Sequence, residues 1–173
     1  LHREVEIQRK LLSGRVGGYD VSTEPLDIQF LFDDLARFFN GHPATRRRTL
    51  EFEDAGEMQP IVTDSVLLLR VISNMILNAL EAGKEGDMVR VWSEGTDQTT
   101  TFHVHNPAYI PLSVQERIFQ RYFSTKGGTG RGVGTYSMKL FGEDVLGGTV
   151  SFVSSKEDGT TFSVALPNRP SNP

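Results

Sequence analysis

The stretch Asn74-Met75-Ile76-Leu77-Asn78-Ala79 decides how the rest of this chain is interpreted. It falls inside an apolar run from Asp64 to Ala82, whose length and composition predict a nearly buried helix. Asn74 and Asn78 are four residues apart, so both lie on one face of that helix. Asparagine is a poor helix former. Its repetition therefore indicates either an ordinary exposed face or a polar function for that face.

A second motif lies some forty residues downstream, where five glycines fall between positions 127 and 134. A flexible surface loop has that density, and so does a loop that binds phosphates through its backbone N–H groups. Lys126 and Arg131 favour phosphate binding, because each can donate a charge-assisted hydrogen bond. The amide oxygen of Asn78 is a hard ligand suited to Mg²⁺, and Asn74 would lie toward the phosphates. Together the two motifs predict a site for a nucleoside triphosphate and its metal ion.

Composition restricts the class of protein. A chain of 173 residues with 38% hydrophobic content can bury one good core. The net charge of −4 argues against a nucleic-acid-binding protein. The absence of cysteine suits a reducing, cytoplasmic compartment. We expect no apolar run of membrane-spanning length and no membrane contact by this domain. The chain begins without Met, so we expect a piece of a longer protein.

The remaining pattern predicts the α/β class, as a two-layer α/β sandwich with a mixed, mostly antiparallel sheet packed on helices. We interpret residues 1–24 as the end of an amphipathic helix and a linker, residues 25–167 as one domain, and residues 168–173 as a disordered tail. The predicted elements of the domain are a helix from Asp27 to Asn40, strands 48–54 and 58–63, the helix from Asp64, a hairpin of 88–95 and 99–106, a helix near 134–145, and a hairpin of 148–154 and 160–166.

These motifs, in this order, resemble those of the catalytic and ATP-binding domain of sensor histidine kinases. That domain belongs to a superfamily shared with gyrase-type topoisomerases, mismatch-repair ATPases and chaperone ATPases. Residues 74–79 are similar to its N box, residues 116–126 to its F box before the ATP lid, and residues 130–134 to its second glycine box. Residues 147–149 and 159–162 are similar to its closing hairpin. The resemblance implies the Bergerat-type ATP-binding fold. It also implies that residues 1–24 are the end of a dimerisation helix and a linker.

The resemblance also implies a function and a set of partners. The function is transfer of the γ-phosphoryl group of ATP to a histidine on an upstream dimerisation domain that is absent from this chain. A response regulator would be the next partner, and the full-length protein would be a homodimer, with this domain in the cytoplasm as part of a sensor. The implied cofactors are ATP and Mg²⁺. The alternative is a degenerate regulatory module of the same fold that binds no nucleotide.

The resemblance assigns roles residue by residue. Asn78 would bind the metal, and Asn74 and Lys126 would be the catalytic residues. Asn74 stands where the related ATPases have a Glu that activates water, so we expect slow hydrolysis. The residues implied at the phosphates and metal are Asn74, Asn78, Lys126, Thr129, Gly130, Arg131, Gly132, Val133 and Gly134.

One departure from the family concerns the adenine end of the site. Where the family has Asp-x-Gly-x-Gly, this chain has His105-Asn106-Pro107-Ala108-Tyr109. We expect the neutral imidazole of His105 to accept the adenine amino proton. Asn106 would take that role if the loop shifts, and Tyr109 would cover the base. From the closing hairpin, Thr161 is expected beside the adenine.

Overall fold

The computed structural model describes residues 20–56, 58–120 and 134–169. Its first half contains β1 (Glu24–Leu26), α1 (Ile28–Phe39), a 3-10 turn (Pro43–Thr45), β2 (Thr49–Phe52), β3 (Ile61–Thr63) and α2 (Ser65–Ala82). Its second half contains β4 (Met88–Gly95), β5 (Thr99–Asn106), α3 (Leu112–Gln115), α4 (Gly134–Lys139), a π-helical turn (Leu140–Val145), β6 (Thr149–Ser155) and β7 (Gly159–Pro167).

Five strands form the main sheet in the order β2-β4-β5-β7-β6. β2 pairs in parallel with β4, and the other three pairings are antiparallel. A separate antiparallel pair joins β1 to β3. The buried cores of α1 and α2 pack on one face of the main sheet. This arrangement confirms the predicted two-layer α/β sandwich with a mixed, mostly antiparallel sheet.

Helix α2 is the central element of the core. Asp64 caps its first turn, since Oδ1 accepts from the N–H of Leu67 at 3.0 Å, and Gly83 ends it. Its length and mean hydropathy of 1.4 are enough for a membrane-spanning helix, which corrects the expectation that no run of that length is present. The helix is this apolar because it is packed inside the domain. Nine of its residues are buried: Leu67, Leu68, Val71, Ile72, Ser73, Met75, Ile76, Ala79 and Leu80.

Strand alternation gives the main sheet an inner face toward the helices and an outer face away from them. Phe102 and Val104 of β5 and Phe162 and Val164 of β7 are all buried in the core that includes α2. Successive side chains of a strand point to opposite faces. Even-numbered residues of β5 and β7 therefore face the helices, and odd-numbered residues face away from them.

Two boundaries differ from the sequence predictions. Residue Glu24, assigned to the linker, begins β1, and Pro25 lies opposite Val62 in the β1–β3 pair. Asn168, assigned to a disordered tail, is held at the end of β7. Its N–H donates to the carbonyl of Gln98 at 2.8 Å, its carbonyl accepts from the N–H of Val62 at 2.8 Å, and its side chain bonds β5. A polar residue with this many backbone partners is ordered by them, whatever its distance from the terminus.

Candidate nucleotide-binding site

The C-terminal half of α2 and the end of β5 lie at the same end of the sandwich. Helix α2 ends at Ala82, and β4 begins at Met88 after a short connection. Arg90, near the start of β4, pairs with His105, near the end of β5. The last residue of β5, Asn106, therefore lies at the edge of the sheet from which α2 connects to β4. Asn78, in the second half of α2, and the segment 105–109 therefore lie toward the same end of the sheet.

The two motifs that the sequence singles out are in contact. A Cβ atom built on Gly134, the first residue of α4, would lie 3.9 Å from both Nδ2 and Oδ1 of Asn78. No side chain at position 134 covers the Asn78 amide. The Nδ2 atom of Asn78 is buried and has no hydrogen-bond partner among the described residues. A buried amide nitrogen without a partner, beside the end of a glycine-rich segment, is compatible with binding of a polar ligand there.

Asn106, the last residue of β5, resembles Asn78 in having a buried side-chain amide nitrogen. It is an inner-face residue with 2% of its surface exposed. Its Nδ2 atom is also buried, with no hydrogen-bond partner in the described part of the chain. No shift of the loop is needed to bring this amide to the helix side, because the strand alternation that buries Phe102 and Val104 already does so.

A relay of hydroxyl groups fixes the loop that follows Asn106. The Oγ1 of Thr160 donates its single proton to the carbonyl of Ala108 at 2.7 Å. The hydroxyl of Ser154 must then be the donor in its 2.7 Å bond to Thr160. Ser154 in turn accepts from the N–H of Ile110 at 2.9 Å, and the Gln115 amide donates to the carbonyl of Ile110 at 2.7 Å. The loop is thus a built structure although it lacks the family's two glycines.

The loop that follows Asn106 packs closely against Gly159, the first residue of the neighbouring strand β7. Gly159 has a φ of +76°, and a Cβ atom at this position would lie 2.3 Å from the carbonyl oxygen of Asn106 and 2.7 Å from Cα of Pro107. Both the backbone conformation and the close approach require glycine here. Gly159 therefore allows the loop that follows Asn106 to pack against the start of β7.

His105 and Thr161 lie on the outer face of the sheet, directly opposite each other in the β5–β7 pair. The Nε2 of His105 lies 2.7 Å from the carbonyl of Asp158, which can only accept, so Nε2 carries the proton. The structure therefore does not bring these two predicted contacts to the helix side, and their roles stay predictions. Their even-numbered neighbours, Asn106 and Thr160, are buried and face the helices. The alternation of apolar residues in each strand indicates that orientation.

Of the other predicted site residues, the structure describes Tyr109 and Asn74. The ring of Tyr109 lies 6.0 Å from Nζ of Lys156, on the turn between β6 and β7. Asn74 is half-buried on the same face of α2 as Asn78. The remaining predicted contacts lie outside the described residues, and their roles stay predictions: Lys126, Thr129, Gly130, Arg131, Gly132 and Val133.

Residues 63–170 match the family described as histidine kinase-, DNA gyrase B- and HSP90-like ATPases. The chain belongs to this ATPase family. The match includes every element from α2 to β7. Membership in this family makes the matched segment an ATP-binding domain.

Curated relatives of this ATPase domain are sensor kinases. The signal transduction histidine-protein kinase AtoS of Escherichia coli is 32% identical over 117 residues, which are 66% of this chain and 19% of AtoS. The sensor histidine kinase CusS of Escherichia coli is 28% identical over 147 residues, 79% of this chain and 30% of CusS. The chain thus spans 19% to 30% of the length of these relatives.

Solved structures show the same fold. The nucleotide-free catalytic domain of histidine kinase ThkA superposes with a TM-score of 0.75 at 24% identity, covering 86% of this chain and 99% of that one. ThkA in complex with the response regulator TrrA gives a TM-score of 0.76 at 21% identity, covering 96% of this chain and 48% of that one. Full-length ShkA in complex with AMPPNP also gives 0.76, at 20% identity, covering 92% of this chain and 33% of that one.

Proposed function

We propose that this chain is the ATP-binding catalytic domain of a two-component sensor histidine kinase. In this proposal it transfers the γ-phosphoryl group of ATP to a histidine of a dimerisation domain outside the chain. The observation that carries the proposal is the contact between Gly134 and the unpaired amide of Asn78. It joins the two motifs expected at the phosphate and metal end of such a site.

The residues present fit Mg²⁺ as the accompanying ion. The described residues contain no group of three or more His, Cys, Asp or Glu side chains that could hold a metal by themselves. Mg²⁺ usually takes only one or two protein ligands and completes its octahedron with phosphate oxygens and water. The carbonyl oxygen of Asn78 suits that role, and the ion would neutralise charge on the phosphates.

Phosphoryl transfer depends mainly on positioning and charge neutralisation. Asn78 and Asn74 present two amides, one helical turn apart, to the same side of α2. We propose that Lys126 and the backbone of residues 130–134 orient the phosphates, as the resemblance implies. An amide cannot take a proton from water. Asn74 therefore provides no general base for hydrolysis, which leaves the phosphoryl group for the histidine nucleophile.

At the adenine end we propose Asn106 in place of His105. The Oδ1 of Asn106 would accept a proton of the adenine amino group, and Nδ2 would donate to the adjacent ring nitrogen. Thr160 acts indirectly, because its hydroxyl is committed to the carbonyl of Ala108 and holds the loop. His105 and Thr161 would have no contact with the base.

The degenerate, nucleotide-free module remains the competing function. The loss of the family's Asp and glycines between His105 and Tyr109 is the feature that favours it. Against it stand the Nδ2 atoms of Asn78 and Asn106, which are buried and have no hydrogen-bond partner in the part of the chain that the structure describes. Each such buried donor costs about 1–3 kcal/mol unless a ligand satisfies it. Two such donors near the same end of the sheet support the binding of a polar ligand there.

Partners and location follow from the proposed function. ThkA has been crystallised with a response regulator, and we propose that the protein containing this chain acts on one as well. We further propose that the full-length protein is a homodimer and that this domain works in the cytoplasm. Neither proposal depends on the details of the adenine contact.

A transfer assay tests the function. A longer form of the protein that includes the dimerisation segment is incubated with ATP carrying a radioactive γ-phosphate and Mg²⁺. We expect label that is stable to alkali and labile to acid, as in phosphohistidine, and we expect Asn78→Ala to abolish it. If the longer protein binds ATP but acquires no such label, the kinase proposal fails. If it binds no ATP, the nucleotide-free module is supported instead.

A further inference from the structure

The residue that faces the purine in the proposed site is an amide, where the resemblance leads one to expect a carboxylate. This difference changes the chemistry of recognition. An ionised carboxylate only accepts hydrogen bonds, whereas the side chain of Asn106 has an acceptor at Oδ1 and two donors at Nδ2. The site is buried, with Asn106 at 2% exposure, so an unmatched polar pair there is costly.

The two common purine types present opposite polarity at this edge. Adenine has a donor amino group at position six and an acceptor nitrogen at position one. A 6-oxopurine has an acceptor oxygen at position six and a donor N–H at position one. A carboxylate placed against position six matches adenine and opposes the oxygen of a 6-oxopurine. An asparagine matches either edge, because half a turn of its terminal torsion exchanges Oδ1 and Nδ2.

No hydrogen bond within the described part of the chain fixes the Nδ2 end of the Asn106 amide. Thr160, directly across from it on β7, donates its only proton to Ala108 and accepts from Ser154. His105 lies on the other face of the sheet and donates to the turn at Asp158. The amide can therefore present either end to a base.

We propose that Asn106 makes this site accept 6-oxopurine nucleoside triphosphates, such as inosine and guanosine triphosphate, as well as ATP. The inference rests on the proposed function, since it concerns the base end of the same nucleotide site. It identifies Asn106 as the residue that determines base specificity. Restoring a carboxylate at this position should restore selectivity for adenine.

The test compares ATP with inosine triphosphate, because these two nucleotides differ only at positions six and one of the base. Dissociation constants of both are measured by calorimetry with Mg²⁺ for the wild-type chain and for Asn106→Asp. We expect the wild-type constants to agree within about tenfold, and we expect Asn106→Asp to raise the preference for ATP by at least about tenfold. An unchanged preference in Asn106→Asp would overturn the inference.

His105→Asp is the matched control. It adds the same carboxylate one residue away, on the outer face of the sheet. We expect it to leave the preference unchanged. An equal shift in both variants would reduce the effect to general charge repulsion and would overturn the role of Asn106.

Two further outcomes separate this inference from the function on which it rests. If the wild-type chain binds neither nucleotide with Mg²⁺, the proposed function fails and the inference fails with it. If ATP binds and inosine triphosphate does not displace it, the inference alone fails. The displacement measurement uses only the wild-type chain, so it remains decisive even if Asn106→Asp does not fold.

Discussion

Gly134 lies against the side chain of Asn78, since a Cβ atom at position 134 would be 3.9 Å from both ends of the amide. The contact joins a helix in the middle of the sequence to the end of the glycine-rich segment that follows position 126. Either motif alone is compatible with an ordinary surface feature. Their contact makes a shared binding function the simpler explanation, because neither amide end of Asn78 is covered by a side chain from position 134.

Substitution of Gly134 should affect binding according to side-chain size. An alanine Cβ at 3.9 Å is in ordinary van der Waals contact, so Gly134→Ala should alter ATP affinity by less than about threefold. Gly134→Leu would fill the space over Asn78, and we expect a loss of at least about tenfold. Calorimetry measures both, and thermal unfolding shows whether each variant is folded. Equal affinities for the two variants would contradict a binding role for this contact.

Gly159→Ala should destabilise the domain far more than Gly41→Ala. Both glycines have a φ of +76°, so both substitutions carry the same backbone penalty of about 1 kcal/mol. Only at position 159 would the new Cβ collide with a neighbour, at 2.3 Å from the Asn106 carbonyl, whereas no atom lies within 4 Å at position 41. We expect Gly159→Ala to cost about 2 kcal/mol more than Gly41→Ala in urea unfolding. Equal costs would show that the loop moves away freely.

The hydroxyl relay predicts a difference between two neighbouring threonines. Thr160→Val removes the bonds to Ser154 and Ala108 in a position with 1% exposure, and we expect a loss of about 1–3 kcal/mol in the free energy of unfolding. Thr161→Val, on the outer face, should change stability by no more than about 0.5 kcal/mol. Chemical denaturation of both variants checks this, and a larger effect for Thr161 would contradict the assignment of the faces.

His105 and Asn106 should differ in their effect on ATP binding. Asn106→Ala removes the proposed base contact, so ATP affinity should fall at least about fivefold. His105→Ala should change it less than about twofold, because this ring lies on the outer face of the sheet. If His105 accepts the adenine amino proton, His105→Ala should instead cause the larger loss. Calorimetry of ATP binding to both variants distinguishes the two assignments.

His103 provides a pH-dependent signal on the outer face. Its ring stacks on that of Trp92, the one tryptophan in the chain, with ring centroids 4.8 Å apart. Its Nδ1 lies 2.8 Å from Oγ of Ser163. Burial lowers the pKa of His103 below its usual value of 6.5, and the charge of Glu94 offsets part of that shift. The neutral form is therefore favoured in the folded domain.

The consequence for stability has a definite sign. Because the pKa of His103 is lower in the folded state, the unfolded chain binds the proton first as pH falls below 6.5. The domain should lose stability from that pH down to the folded-state pKa, and His103→Gln should remove this part of the pH dependence. Trp92 fluorescence gives the folded-state pKa directly. A fluorescence midpoint above 6.5 would contradict the burial argument.

Much of this fold follows from the sequence because its elements have strong local signals. The long apolar helix between Asp64 and Gly83 and the hairpin of β4 and β5 lie within a residue or two of their predicted positions. The short strand β1 is absent from the predicted elements because three residues carry no periodicity of their own. Its pairing with β3 is a tertiary contact that sequence patterns do not contain.

The site is predictable at its phosphate end and less so at its base end. Asn78 carries its own signal, since a polar residue on a buried helix needs an explanation. At the base end the family's Asp and glycines are replaced, and aligning His105 with that Asp ignores the alternation of Phe102 and Val104. A one-residue shift moves a side chain to the other face of a sheet. That is why the resemblance favours His105 as the base contact, whereas the strand geometry supports the proposal of Asn106.

The most direct test of the central claim is calorimetric titration of this chain with ATP, in Mg²⁺ and in excess chelator, for the wild type and for Asn78→Ala. Thermal unfolding verifies that both proteins are folded. We predict that Mg²⁺ tightens ATP binding to the wild type by at least about tenfold, and that Asn78→Ala removes this difference. Binding to the wild type that is equal with and without Mg²⁺, or an Asn78→Ala variant that keeps the full effect, would contradict the account.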